Sequence, residues 1–205
     1  MRSMEGREAA PARRLRRGAT ALVLAVPLAW AAVAVTQLSG VWLFSRIGPL
    51  AWAVSGLAWL VAVAATALVA AAFCLVRRFL LAGMAFVVGA AGATAIVRTD
   101  WTAAFVHGYY ERHHAGFLAV AELARTHQLD PFPAELRYLA FTGDPIVYGA
   151  STVYLPAWTG IVDGVTGYAF IGDPPAGSIV ECAGDPCQVR WSLGDGWSWI
   201  DMYHR

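Results

Sequence analysis

The sequence predicts a membrane α+β protein, with three transmembrane helices followed by an extracytoplasmic amphipathic helix and a small antiparallel β domain. Three observations carry that expectation. Residues 19–97 hold only the charges Arg46, Arg77 and Arg78, so the apolar runs between them reach the roughly 20 residues that a bilayer crossing takes. Apart from Glu5 and Glu8, every acidic residue lies from Asp100 onward. After residue 128 the pattern breaks into short runs of Val, Ile, Tyr, Trp and Phe, punctuated by Gly, Pro and Asp.

Residues 1–18 are polar and carry Arg2, Arg7, Arg13, Arg14, Arg16 and Arg17 without periodicity. They predict a disordered basic cytoplasmic tail, drawn to an anionic membrane surface by about 1 kcal/mol per arginine. Nucleic-acid binding is not expected. The neighbouring apolar run accounts for the charges, and the chain from residue 99 sets five arginines against twelve acids. The chain has no Lys and no Asn, which excludes lysine chemistry and N-glycosylation and suggests GC-rich bacterial coding.

The three-helix transmembrane region, residues 19–97, divides into spans at about 19–40, 50–76 and 80–97. Pro27 predicts a kink in the first. Ala32-Val33-Ala34 after an arginine-rich start also fits a cleaved signal peptide. Two further apolar runs follow and the core exceeds the usual length of roughly 7–15 residues, so retention is expected. Gly48-Pro49 marks a turn, Trp52 suits an interfacial belt, and Cys74 reads as a packing residue rather than a reactive or lipidated thiol. In the third span Ala82, Ala85, Gly89, Gly92 and Ala93 leave room for close helix approach, expected against the first two spans in preference to a second copy. The spans hold no acid and no His, which weighs against a transporter or channel, although an accessory subunit of a transporter stays an alternative.

Arginine counting sets the orientation. The tail and Arg77-Arg78 carry eight arginines, against Arg46 and Arg98 on the opposite short segments. A multi-pass cell-membrane protein is expected, its N-terminus cytoplasmic and its C-terminal domain extracytoplasmic. Cys182 and Cys187 flank the turn sequence Ala-Gly-Asp-Pro and predict a disulfide, which that compartment allows. A zinc site would have only His204 to add to them and falls short of ligands.

Residues 98–128 predict one juxtamembrane helix. Phe105, Val106, Tyr109, Phe117, Val120 and Leu123 share an apolar arc, while Glu111, Arg112, Glu122 and Arg125 lie largely opposite. His113 falls on the apolar arc as a packing histidine. His107, Glu111 and His114, at i, i+4 and i+7, project to one side with the Glu-x-x-His spacing of metal-binding bundles. They sit on the wet arc, and no second motif faces them. A solvated face is therefore expected, and a membrane-anchored metal-dependent enzyme is the alternative.

In residues 129–205, Asp130-Pro131-Phe132-Pro133 ends the helix, and strands are predicted near 137–142, 146–149, 152–158, 165–171, 178–182, 187–193 and 197–202. Connections too short for crossover helices make the sheet antiparallel. Turns are expected at Thr142-Gly143-Asp144-Pro145, Asp173-Pro174-Pro175-Ala176-Gly177 and Gly194-Asp195-Gly196. The last hairpin is expected to set Val189, Trp191 and Leu193 on one face and Trp197 and Trp199 across from them, as core or as an exposed aromatic platform.

Asp163, Asp173, Asp185 and Asp195 adjoin Gly or Pro, as turn aspartates do, and Ser151, Ser178, Ser192 and Ser198 lack a nucleophile-elbow context. No catalytic or cofactor-binding residue and no cofactor are expected. The sequence supports a non-enzymatic interaction or accessory module, with the lipid bilayer and a protein or envelope partner as its contacts.

Overall fold

The structure, a computed structural model, describes residues 9–142, 144–148, 151–159, 165–182 and 185–202; the side chains of 9–23, 158, 159, 165 and 185 lie outside that description. Outside it too fall tail residues 1–8, Gly143, Asp163, Ala183-Gly184 and His204. The chain forms two compact units, one of residues up to Leu38 with Leu50–Asp100, the other of Ser39–Pro49 with Trp101 onward.

The first unit holds α1 (Ala9–Leu38), α3 (Leu50–Leu75) and α4 (Phe79–Arg98), each packed on the other two. The description opens inside α1, so residues 9–18 of the expected disordered tail are helical, and Ala9, Ala10, Ala12 and Leu15 are strong helix formers. Two helices, α3 and α4, are long and apolar enough to cross a membrane, and a third span is reached if α1 and the short helix after it count as one.

Small residues set the packing of this unit. A Cβ on Gly89 would meet Thr66 Cγ2 at 2.6 Å, and one on Gly92 would meet Trp30 Cγ at 3.0 Å, so α4 admits both neighbours at its glycines. Trp30 Nε1 donates to Thr66 Oγ1 at 3.1 Å, and that hydroxyl donates to the Ala62 carbonyl at 2.8 Å. Gln37 Nε2 donates to Ser55 Oγ at 2.7 Å. Outward positions are apolar as well, Leu60 and Leu80 being 69% and 78% exposed. Apolar on both faces, the helices suit a hydrocarbon solvent.

The second unit contains α2 (Gly40–Ile47), α5 (Trp101–Arg112), α6 (His114–Arg125), a 3-10 turn (Ala134–Leu139) and the strands β1 (Ile146–Tyr148), β2 (Thr152–Thr159), β3 (Val165–Phe170), β4 (Ile179–Cys182), β5 (Asp185–Gly194) and β6 (Trp197–Met202). The predicted helix over 98–128 is two helices. The N–H groups of Gly116 and Phe117 both bond the His113 carbonyl, restarting the helix there. The predicted strand at 137–142 is instead the 3-10 turn entered from Pro133, and it buries Leu139. The domain also reaches beyond its expected limits, since Ser39–Pro49 belongs to it.

All six strands pair antiparallel in the order β1-β2-β3-β6-β5-β4, two three-stranded meanders joined between β3 and β6. One face packs Val153, Leu155, Tyr168, Phe170, Trp197 and Trp199 against Val106, Phe117 and Val120 of α5 and α6. The other gathers Tyr154, Ala169, Cys182, Cys187, Val189 and Ile200 into a smaller core. The sheet curls. The Tyr154 hydroxyl on β2 donates to the Glu181 carbonyl on β4, which a flat sheet would hold four strand spacings away, about 19 Å. Curling requires close approach of β2 and β3, and Gly167 permits it. A Cβ there would strike the Leu155 carbonyl oxygen and lie 2.8 Å from Ala157 N.

A register shift between Val189 and Trp191 corrects the last hairpin. The extra residue sends Val189 to the inner core and leaves Trp191 and Leu193 on the helix-covered face, so the three do not share one face as their alternation predicted. Trp197 and Trp199 do share one, and both are buried.

Candidate functional site

Two groups of polar side chains in the second unit are organised beyond what packing requires. The first surrounds the turn between β5 and β6, where Gly194, Asp195 and Gly196 all take positive φ. Tyr110 Oη shares its proton between the Gly194 carbonyl and Asp195 Oδ2, each at 3.2 Å. His114 Nε2 lies 2.8 Å from the same carboxylate oxygen, and Arg125 Nη2 donates to the Asp195 carbonyl at 3.4 Å. The Gly196 N–H donates to Asp173 Oδ1 at 3.2 Å. Hydrogen bonds from His114 and then Tyr110 hold the Asp195 carboxyl below its ordinary range. Burial, and then the Asp195 charge, push the Tyr110 phenol up.

This group clamps the hairpin tip onto the helix pair. It does not form a metal face. The break at His113 separates Glu111 from His114, His114 is committed to Asp195, and the His107 ring instead stands 6.4 Å from Trp191. Among the described residues no three His, Cys, Asp or Glu side chains are placed to hold a metal ion. His113 lies among aromatic rings as predicted, 4.3 Å from Tyr109 and 5.4 Å from Tyr138.

The second group lines a cleft of about 310 Å³ between α2 and the sheet. Gly40, Val41 and Phe44 form one wall, and Ala157, Thr166, Arg190, Trp199 and Asp201 the other, with Thr102 of α5 beside them. Asp201 uses both oxygens. Oδ2 meets Arg190 Nη1 at 3.0 Å and Oδ1 accepts from Trp199 Nε1 at 3.0 Å. The Arg190 guanidinium also lies 4.8 Å from the Trp191 ring centre. A paired cation and anion, with Trp199, Thr102 and Thr166 around them, suit recognition of a polar or zwitterionic group. Sequence reasoning missed this cleft. Nothing in the sequence singles out Arg190 or Asp201, and neither the bulge that aligns them nor the return of α2 leaves a local signature.

The predicted disulfide joins Cys182 and Cys187, with 5.9 Å between the Cα atoms and both residues in the smaller core. Of the two readings of the last hairpin, the core one holds at Trp197 and Trp199. Trp197 and Trp199 are 0% and 1% exposed, and Trp197 Nε1 donates inward to the Phe117 carbonyl at 3.1 Å. No protein-family model, curated protein or solved structure matches the chain.

Proposed function

We propose that the chain is a three-span bacterial cell-membrane protein that holds its C-terminal domain on the extracytoplasmic side, where the domain acts as a non-enzymatic interaction or accessory module. The observation that carries this reading is α2. It lies between two apolar helices in sequence, yet Val41 packs on the core of the β domain. Residues 39–49 and the domain then share one side of the membrane, and α1 alone makes the first crossing. Helices α3 and α4 leave that side and return to it, with Arg77-Arg78 at the far turn. The arginine bias makes the far side cytoplasmic, and the Cys182–Cys187 bond suits the near side.

Recognition is favoured over catalysis by the cleft chemistry. Its charged groups satisfy one another, Asp201 being engaged by both Arg190 and the Trp199 indole. The partner is a protein or an envelope component that offers a polar group to Arg190 and Asp201. A photo-crosslinking residue placed at Thr166 tests this in intact cells, with the exposed Leu118 on α6 as the comparison. One discrete adduct at Thr166 alone is expected. Equal labelling at both positions, or none at either, would contradict the reading.

A further inference from the structure

The first unit carries an apolar groove of about 240 Å³ formed by all three of its helices, with Val26 and Pro27 on α1, Val69 and Phe73 on α3, and Met84 and Ala85 on α4. Its floor is buried at Val26, Val69 and Phe73, while Met84 is 56% exposed, so the groove opens sideways. At one end stands the α3–α4 turn. Helix α3 ends at Leu75, and the Arg78 N–H closes the turn on the Phe73 carbonyl at 2.8 Å. Arg77 and Arg78 are exposed, and among the described residues no acidic side chain pairs with either.

We propose that this groove holds one acyl chain of an anionic phospholipid whose phosphate is bound by Arg77 and Arg78. Charge decides the occupant. A second copy of the chain would share the same orientation in the bilayer, which would bring its own arginine pair to the same depth and set four like charges together. A lipid phosphate at that depth neutralises the pair instead. The small side chain of Ala85 and the ring of Pro27 leave the space that the acyl chain fills.

Native mass spectrometry of the full chain, offered phosphatidylglycerol and phosphatidylcholine with identical acyl chains, tests the site. The wild type is expected to keep one phosphatidylglycerol per chain with a preference of about thirtyfold, the factor that two arginines supply at a headgroup. The double variant Arg77→Gln/Arg78→Gln should retain both lipids equally, and Ala85→Phe should lose the bound lipid with the arginines intact. Equal retention by the wild type would overturn the proposal, as would an unchanged lipid adduct in Ala85→Phe. So would a disulfide-linked dimer through Met84→Cys that excludes lipid. If Ala85→Phe loses its helical circular dichroism, the wild type and the double arginine variant decide between them.

Discussion

The two units bury tryptophan in the same way but present opposite outer surfaces. In the helical unit Trp30 is buried against glycine and finds its hydrogen bond on a neighbouring helix at Thr66. In the β unit Trp197 is buried against Phe117 and Phe170 and finds its bond on the Phe117 backbone. Both indoles obey the rule that a buried N–H needs an acceptor. Their surroundings differ on the outside. The helices stay apolar outward, whereas the β unit covers two cores with a surface carrying Glu122, Arg125, Arg137 and Arg190. The outer surface, rather than the core, is what distinguishes the two regions, and the units are expected to respond separately to core damage.

The sharpest way to break the comparison is Trp197→Ala, which should cost about 4 kcal/mol through lost burial and the cavity left behind. Near-ultraviolet circular dichroism should show the β unit unfolded, with the helical signal largely retained. Simultaneous loss of both signals would mean the units do not stand apart. Next in size is the double variant Cys182→Ser/Cys187→Ser. Opening so short a loop is expected to lower the stability of the β unit by about 2 kcal/mol, read from its urea midpoint, and to leave the helical unit unchanged.

A smaller effect comes at high pH. Burial raises the phenols of Tyr109 and Tyr154 from 10.0 to about 12. Their contribution to stability is fully present below pH 10.0 and is lost as the pH climbs toward 12, because the unfolded chain ionises first. The β unit should therefore weaken across that window, and Tyr154→Phe should blunt the loss. A flat alkaline profile would contradict the burial of these rings. Smallest of all is Thr66→Val. Removing the acceptor of the Trp30 N–H within a helix long and apolar enough to cross a membrane should cost about 0.6 kcal/mol, measured as a drop in the thermal midpoint of the helical unit alone.

Local patterns were legible wherever one period dominated. Alternation and turn residues located β1 through β6, and the small residues at Gly89 and Gly92 pointed to close helix packing that Trp30 and Thr66 fulfil. The apolar arc through Val106, Phe117 and Val120 survived the break at His113, since both helices still face the sheet. What escaped depends on geometry that no short window records. The short apolar and aromatic run at 137–142 suggests a strand, yet a 3-10 turn entered from Pro133 buries Leu139 instead. The bulge after Val189 reverses one side chain and so creates the Arg190–Asp201 pairing. Helix α2, too short to draw notice between two apolar runs, supplies a wall of the cleft.

The proposed topology requires the β domain to face the side of the membrane opposite the N-terminus. In a Cys74→Ala background, a membrane-impermeant maleimide applied to intact cells reads this directly at Gln128→Cys and Ser3→Cys. The account predicts that Gln128→Cys is labelled at once and Ser3→Cys only after the cells are opened. Labelling of Ser3→Cys in intact cells, with Gln128→Cys protected, would contradict it.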